Sequence, residues 1–246
     1  VPNSLKEGMR RIFGQPLTPD EAVRLILAEV RAEGDAALQR WTERIDGVTL
    51  QQFQVPPEQI AAAAATIPPD LLHALELAAG RIRDFHSRQP LPNWTTTEMG
   101  GVVGQRVTPL RRVGAYVPGG TAPLPSSLLM SAIPAQVAGV QDVVVATPPG
   151  PNGDISDVIL AAAHIAGIDT IYTLGGAQAI AALAFGSESI APVDKIVGPG
   201  NLFVTLAKQQ VYGQVGIDGL YGPTETLVIA DESADPAWVA ADLLAQ

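Results

Sequence analysis

The chain has 246 residues, 47% of them hydrophobic and 16% charged, with a formal net charge of −10 and no cysteine. Such a chain can bury one large core or two modest ones, and it is too apolar to be disordered. Acidic charge without a lysine or arginine block argues against nucleic acid or an anionic membrane surface as a partner, and the missing cysteine excludes disulfides, thiolate zinc ligands and cysteine nucleophiles. The first third reads as helical. Thr18-Pro19-Asp20-Glu21 has the form of a capping box, with a threonine cap, proline at the first helical position and glutamate three residues after the cap. Val23, Ile26, Leu27 and Val30 then share one face, and after Gly34 the spacing resumes at Leu38, Trp41 and Ile45. "PEQIAAAAATI" and "PDLLHALELAAGRIRDFHSRQ" predict two more helices. "GGVVGQRVTPLRRVGAYVP" predicts a strand pair or ribbon with Pro109 in its bend.

From Tyr116 the rhythm changes. Short β-branched runs stand at 142–147, 170–174, 194–198 and 226–231, with alanine-rich helical stretches between them. They do not alternate, which is the pattern of parallel strands buried on both faces. Strand–helix–strand spacing of this kind predicts a doubly wound α/β fold with right-handed crossovers. No stretch reaches the apolar length of a membrane span, and the composition fits a reducing, cytoplasmic setting.

Three glycine turns join a predicted strand to a predicted helix. They are Val117-Pro118-Gly119-Gly120, Gly175-Gly176-Ala177-Gln178 and Gly198-Pro199-Gly200-Asn201. In a parallel sheet such turns lie at the carboxyl ends of the strands, where ligands bind. Glycine lets the backbone approach a ligand, and the helix that follows offers free N–H groups to an anion. Gln178 and Asn201 add amides that donate and accept. Three convergent turns point to a nucleotide or dinucleotide, although glycine often does no more than turn the chain. None matches G-x-G-x-x-G, and Asp194 precedes its strand where a ribose-binding acid would end it. After the first turn, Pro125 can start a helix, Ser126 or Ser127 can satisfy its first N–H groups, and Pro134 predicts a kink.

Catalytic chemistry is not visible. His73, His86 and His164 are far apart and lack metal-ligand partners at helical spacing, so each reads as a surface or core histidine. Asp231, Glu232 and Asp235 read as the cap and first turn of a final helix. Asp242 and Gln246 share a face of it at i, i+4. The first residue is valine, and "DPAWVAADLLAQ" reads as a helix without an exit signal. A longer parent protein is the expectation.

The strings "LTPDEAVRLILAEVRAEGDAALQRWTERIDG", "VGAYVPGGTAPLPSSLLMSAIPAQVAGV", "GGAQAIAALAFGSESIAPVDKIVGPGNLFVTLAKQQVYGQVGIDG" and "GPTETLVIAD" together resemble histidinol dehydrogenase over nearly the whole chain. The resemblance implies two incomplete Rossmann-like, doubly wound α/β domains with mainly parallel sheets, preceded by an N-terminal helical segment. Residues 1–115 would hold the helices and the first part of domain one, 116–223 the NAD-contacting domain, and 224–246 the return to domain one. It implies a zinc- and NAD-dependent homodimer that oxidises L-histidinol to L-histidine through the bound aldehyde, in histidine biosynthesis. By position in the motifs, Tyr116, Gln178 and Asn201 correspond to NAD-contacting residues. Thr224 corresponds to a substrate contact, and Gln246 to a zinc ligand that also touches substrate. The family's other zinc ligands and its glutamate–histidine acid–base pair would follow Gln246, so no catalytic residue is assigned and the chain alone is expected to be inactive. The alternative is a non-catalytic nucleotide-binding module built on the same fold.

Overall fold

A computed structural model describes residues 3–89, 91–119, 123–221 and 226–244. The first elements are helices: α1 (Asn3–Phe13), α2 (Pro19–Glu33), α3 (Asp35–Asp46), α4 (Pro57–Ala62), which runs into a 3₁₀ turn at Ala63–Ala65, and α5 (Pro69–Ser87). The capping box forms as its residues predict. Thr18 Oγ1 accepts the Glu21 N–H at 3.3 Å, and Glu21 Oε2 accepts the Thr18 N–H at 2.8 Å.

The expected ribbon is rearranged. β1 (Trp94–Thr96) pairs antiparallel with β2 (Val103–Gln105), while β3 (Arg112–Tyr116) leaves for the centre of another sheet. The physical reason is burial. β2 is exposed along its length and needs only one neighbour, whereas Val113 to Tyr116 are all buried and require neighbours on both sides.

The chain then alternates through α6 (Pro125–Val137), β4 (Asp142–Thr147), α7 (Asp157–Ala166), β5 (Ile171–Thr173), α8 (Gly176–Phe185), β6 (Lys195–Val197), α9 (Leu202–Val211) and β7 (Gly216–Ile217), with α10 (Pro236–Leu244) near the end. The five strands β5-β4-β3-β6-β7 form one parallel sheet in that order. Pro125 opens α6 as expected, but no side chain caps it, so the serine caps predicted there do not form. Pro134 sits within α6, and the helix carries on past it to Val137.

Side chains alternate across the sheet and so build two cores. Val144 and Ala146 join α2, α3, α8 and α9 around Ile26, Leu38, Trp41, Ile180 and Leu183. Val113, Ala115, Val143 and Val145 join α4 to α7 around Ile60, Leu128, Ile133 and Leu160. The early helices thus form an outer layer on both sides of the sheet helices. Residues 53–55 also reach the sheet itself. Thr173 N–H donates to the Phe53 carbonyl at 2.7 Å, Val55 N–H donates to the Ile171 carbonyl at 2.9 Å, and Gln54 bridges Tyr172 in antiparallel sense. The open edge of β5 is thereby covered.

The run 226–231, expected as the fourth strand, carries no ladder among the described residues. Leu227 and Ile229 are 84% and 90% exposed. A β-branched run has no strand geometry to hold it until a neighbour takes its backbone hydrogen bonds.

Candidate functional site

The strand order reverses at the β3/β6 junction. From β3 the chain steps outward through β4 to β5, then crosses back to place β6 on the other flank of β3. Loops leaving the carboxyl ends of strands at such a point diverge and open a crevice. Tyr116 ends β3 there, the Gly198–Asn201 turn follows β6, and the Gly175–Gly176 turn follows β5. Gly120 of the remaining turn lies outside the described residues.

Tyr116 is buried, and its hydroxyl accepts the Gly176 N–H at 3.1 Å. This bond reaches across β4 and ties the end of β3 to the start of α8. Burial pushes the phenol up to about 12, with the nearby Asp46 carboxylate acting in the same direction and the Gly176 N–H opposing it. Gln178, the third residue of α8, is fully buried. Its Nε2 donates to Asp46 Oδ2 at 3.2 Å, and its Oε1 is buried with no partner among the described residues. Burial pushes Asp46 up to about 6, while the Gln178 hydrogen bond pulls it down. Gly176 has φ +60°, and a Cβ there would stand 2.8 Å from Gln178 Oε1, so both the backbone shape and the space exclude a side chain.

Asn201 caps α9. Its Oδ1 accepts the N–H groups of Phe203 at 3.0 Å and Val204 at 3.1 Å. Both bonds use the carbonyl oxygen, so the amide nitrogen of this exposed residue remains a donor for a ligand. The turn before it is clamped from two sides. Gly198 has φ +108°, and a Cβ there would fall 2.1 Å from the Tyr116 carbonyl oxygen. From beneath, buried Lys208 donates to the Gly198 carbonyl at 3.0 Å and pairs with Asp218, whose Oδ2 accepts the Gly198 N–H at 2.8 Å. A desolvated ion pair contributes little net stability but holds its partners in one geometry, and here the held groups are the backbone of the turn. Tyr116, Gly176, Gln178 and Asn201 therefore stand on a scaffold fixed by packing and by hydrogen bonds between separate strands.

Two open cavities meet the glycine turns. One of about 350 Å³ lies beside Gly119, Thr147 and Pro148 at the ends of β3 and β4. The other, about 550 Å³ and mainly apolar, lies between α6 and β6 and meets Gly198 and Pro199. Tyr116, Gln178 and Asn201 belong to neither wall.

Other sequence candidates fall elsewhere. Asp194 accepts the N–H groups of Arg111 at 3.1 Å and Arg112 at 2.9 Å, which pins the amino ends of β3 and β6 on the side away from the crevice. His73 and His164 are exposed, and His86 is half-buried beside Gln89 at 2.7 Å. Asp235 caps α10 through the Ala237 N–H at 2.8 Å, as its position predicts. Thr224 and Gln246 lie outside the described residues. Among those described, no group of three or more His, Asp or Glu side chains could hold a metal ion. Asp46, Lys208 and Asp218 were not singled out from sequence, because their roles depend on partners that only the fold brings near.

A sequence model of the Histidinol dehydrogenase family matches residues 15–246. Histidinol dehydrogenase of Deinococcus radiodurans is 53% identical over the whole chain, and that of Moorella thermoacetica is 53% identical over 98% of it. The crystal structure of histidinol dehydrogenase from Elizabethkingia anophelis superposes over the whole chain with a TM-score of 0.88 at 39% identity. The chain spans 56%, 58% and 57% of the length of these three proteins respectively. A family match over nearly every residue, identity above half in curated relatives and superposition of the whole chain on a solved member all agree: the chain belongs to the histidinol dehydrogenase family.

Proposed function

We propose that this chain supplies the nucleotide cleft of an NAD-dependent histidinol dehydrogenase, which oxidises L-histidinol to L-histidine in two successive two-electron steps through the aldehyde. The observation that carries the reading is that Tyr116, Gln178 and Asn201 stand at or just beyond the carboxyl ends of β3, β5 and β6, on one edge of a single parallel sheet, with Tyr116 tied to the start of α8 through the Gly176 N–H. An acceptor buried without a donor at Gln178 and an amide donor at Asn201 suit the hydroxyl, amine and carbonyl groups of a dinucleotide. When bound, NAD would supply the hydride acceptor, one molecule for the alcohol step and a second molecule for the aldehyde-hydrate step. The chain's own residues bind and orient: Asn201 offers its amide nitrogen, Gln178 its carbonyl oxygen, and the Tyr116–Gly176 bond sets the spacing between two strand ends.

Zinc is part of the same family reading, but the described residues do not provide its ligand set, and no step is derived through it. Thr224 and Gln246 remain the proposed contacts to substrate and, for Gln246, to metal. The division at residues 116 and 224, the homodimer and the cytoplasmic setting belong to this proposal as well.

The test is histidinol-dependent NADH formation with zinc, by the 246-residue chain and by a chain of the relatives' full length. The expected result is turnover by the longer chain alone, because a general base is typically worth about 10²–10⁴-fold and none is assigned within these residues. Failure of both chains while NAD still binds would leave the non-catalytic nucleotide module as the better account.

A further inference from the structure

Gln178 presents a choice that its own side chain does not settle. An amide has a donating end and an accepting end, and either could face the turn above it. Asp46 settles it. As a carboxylate it only accepts, so the end of Gln178 facing it at 3.2 Å must be Nε2, and Oε1 must face the Gly176 turn. Asp46 ends α3, outside the strand–helix units that build the crevice, and Gly47 follows it in the left-handed conformation that stops the helix. The unpartnered Oε1 is fully buried, a position in which an acceptor normally has a donor.

We infer that Asp46 is a positioning residue of the nucleotide cleft, which fixes the Gln178 amide so that its carbonyl oxygen, and not its nitrogen, is offered to a hydroxyl or amine donor of the nucleotide. The inference rests on the reading of Gln178 as a nucleotide contact. It has a consequence that a packing role alone lacks. Once protonated, Asp46 becomes a donor, can bond Oε1 instead, and frees the amide to turn over. Burial brings that protonation up to about 6, within reach of ordinary buffers. The titratable group facing Asp46 from β3 is Tyr116, which at about 12 stays neutral throughout. From α8 it meets the uncharged Gln178, and the α2 carboxylates Glu29 and Glu33 are engaged by Arg40, well over a turn away along α3.

The experiment is an NAD titration of the 246-residue chain and of Asp46→Asn between pH 8 and pH 5, with the Gln178 side-chain amide followed by NMR in parallel. With only the ionised form competent, the wild-type Kd should rise about tenfold by pH 5, in proportion to the lost fraction. Asp46→Asn, whose side chain can bond either end of the amide, should bind more weakly at pH 8 and show no pH dependence. The Gln178 amide signals should titrate near pH 6 in the wild type, a readout that survives even if the variant folds poorly. Wild-type binding that is flat with pH, or a pH dependence retained in Asp46→Asn, overturns the role of Asp46 and leaves the nucleotide reading intact. No NAD binding by the wild type at pH 8 overturns both.

Discussion

α8 and α10 are alike on paper and opposite in the molecule. They have 10 and 9 residues, and both are built largely from alanine and leucine. Every residue of α8 from Ala177 to Ala184 is buried, whereas α10 has no buried residue. The same contrast separates two strand-like runs. "DVVVAT" is β4, buried from Val143 onward between two neighbours, while "TLVIAD" exposes Leu227 and Ile229 and pairs with nothing among the described residues. Apolar composition makes burial favourable, but only a partner surface delivers it, and short helices depend on that packing more than on propensity. The central sheet supplies its own partners through contiguous strand–helix units and through the early helices on both faces.

Substitutions can test how sharp this division is. The largest effect is expected at Ile180, which is fully buried in α8. Ile180→Ala should lower the unfolding free energy by about 2–5 kcal/mol, read from the urea midpoint at constant slope. A smaller loss, about 1 kcal/mol, is expected for Asn201→Ala, which removes the acceptor of two α9 N–H groups. The matching change at the α10 cap, Asp235→Ala, should leave the global midpoint where it is and alter only local amide exchange near Ala237. The smallest effect belongs to Leu244, which is 86% exposed; Leu244→Ala should stay within about 0.5 kcal/mol of wild type. A Leu244 loss approaching that at Ile180 would mean that α10 is packed in solution and that the contrast fails.

The sequence showed most clearly what local chemistry decides. The capping box at Thr18, the proline start of α6 and the limits of β4 all depend on residues within a few positions of one another. It showed less where the outcome depends on a distant partner. Val103–Gln105 and Arg112–Tyr116 read as one ribbon because periodicity reports exposure, not which strand lies alongside. β7 has two residues, too short a run to rise above a turn. In the site, the glycine turns drew attention to Gln178 and Asn201 because each opens a helix. Asp46 gave no such signal, since it stands 132 residues from Gln178 and reads as an ordinary polar helix end.

The strap at 53–55 along β5 has a consequence in time. Gln54 can meet Tyr172 only after more than half of the chain has been made, and Gln210 reaches back 190 residues to Asp20. Pairings this distant carry a loop-closure cost before they return any stabilisation, so the early helices emerge well before the surfaces that bury them. The nascent chain therefore passes through a long interval with Trp41 and Leu38 uncovered. A holding chaperone that covers these side chains during that interval should raise the yield of folded protein.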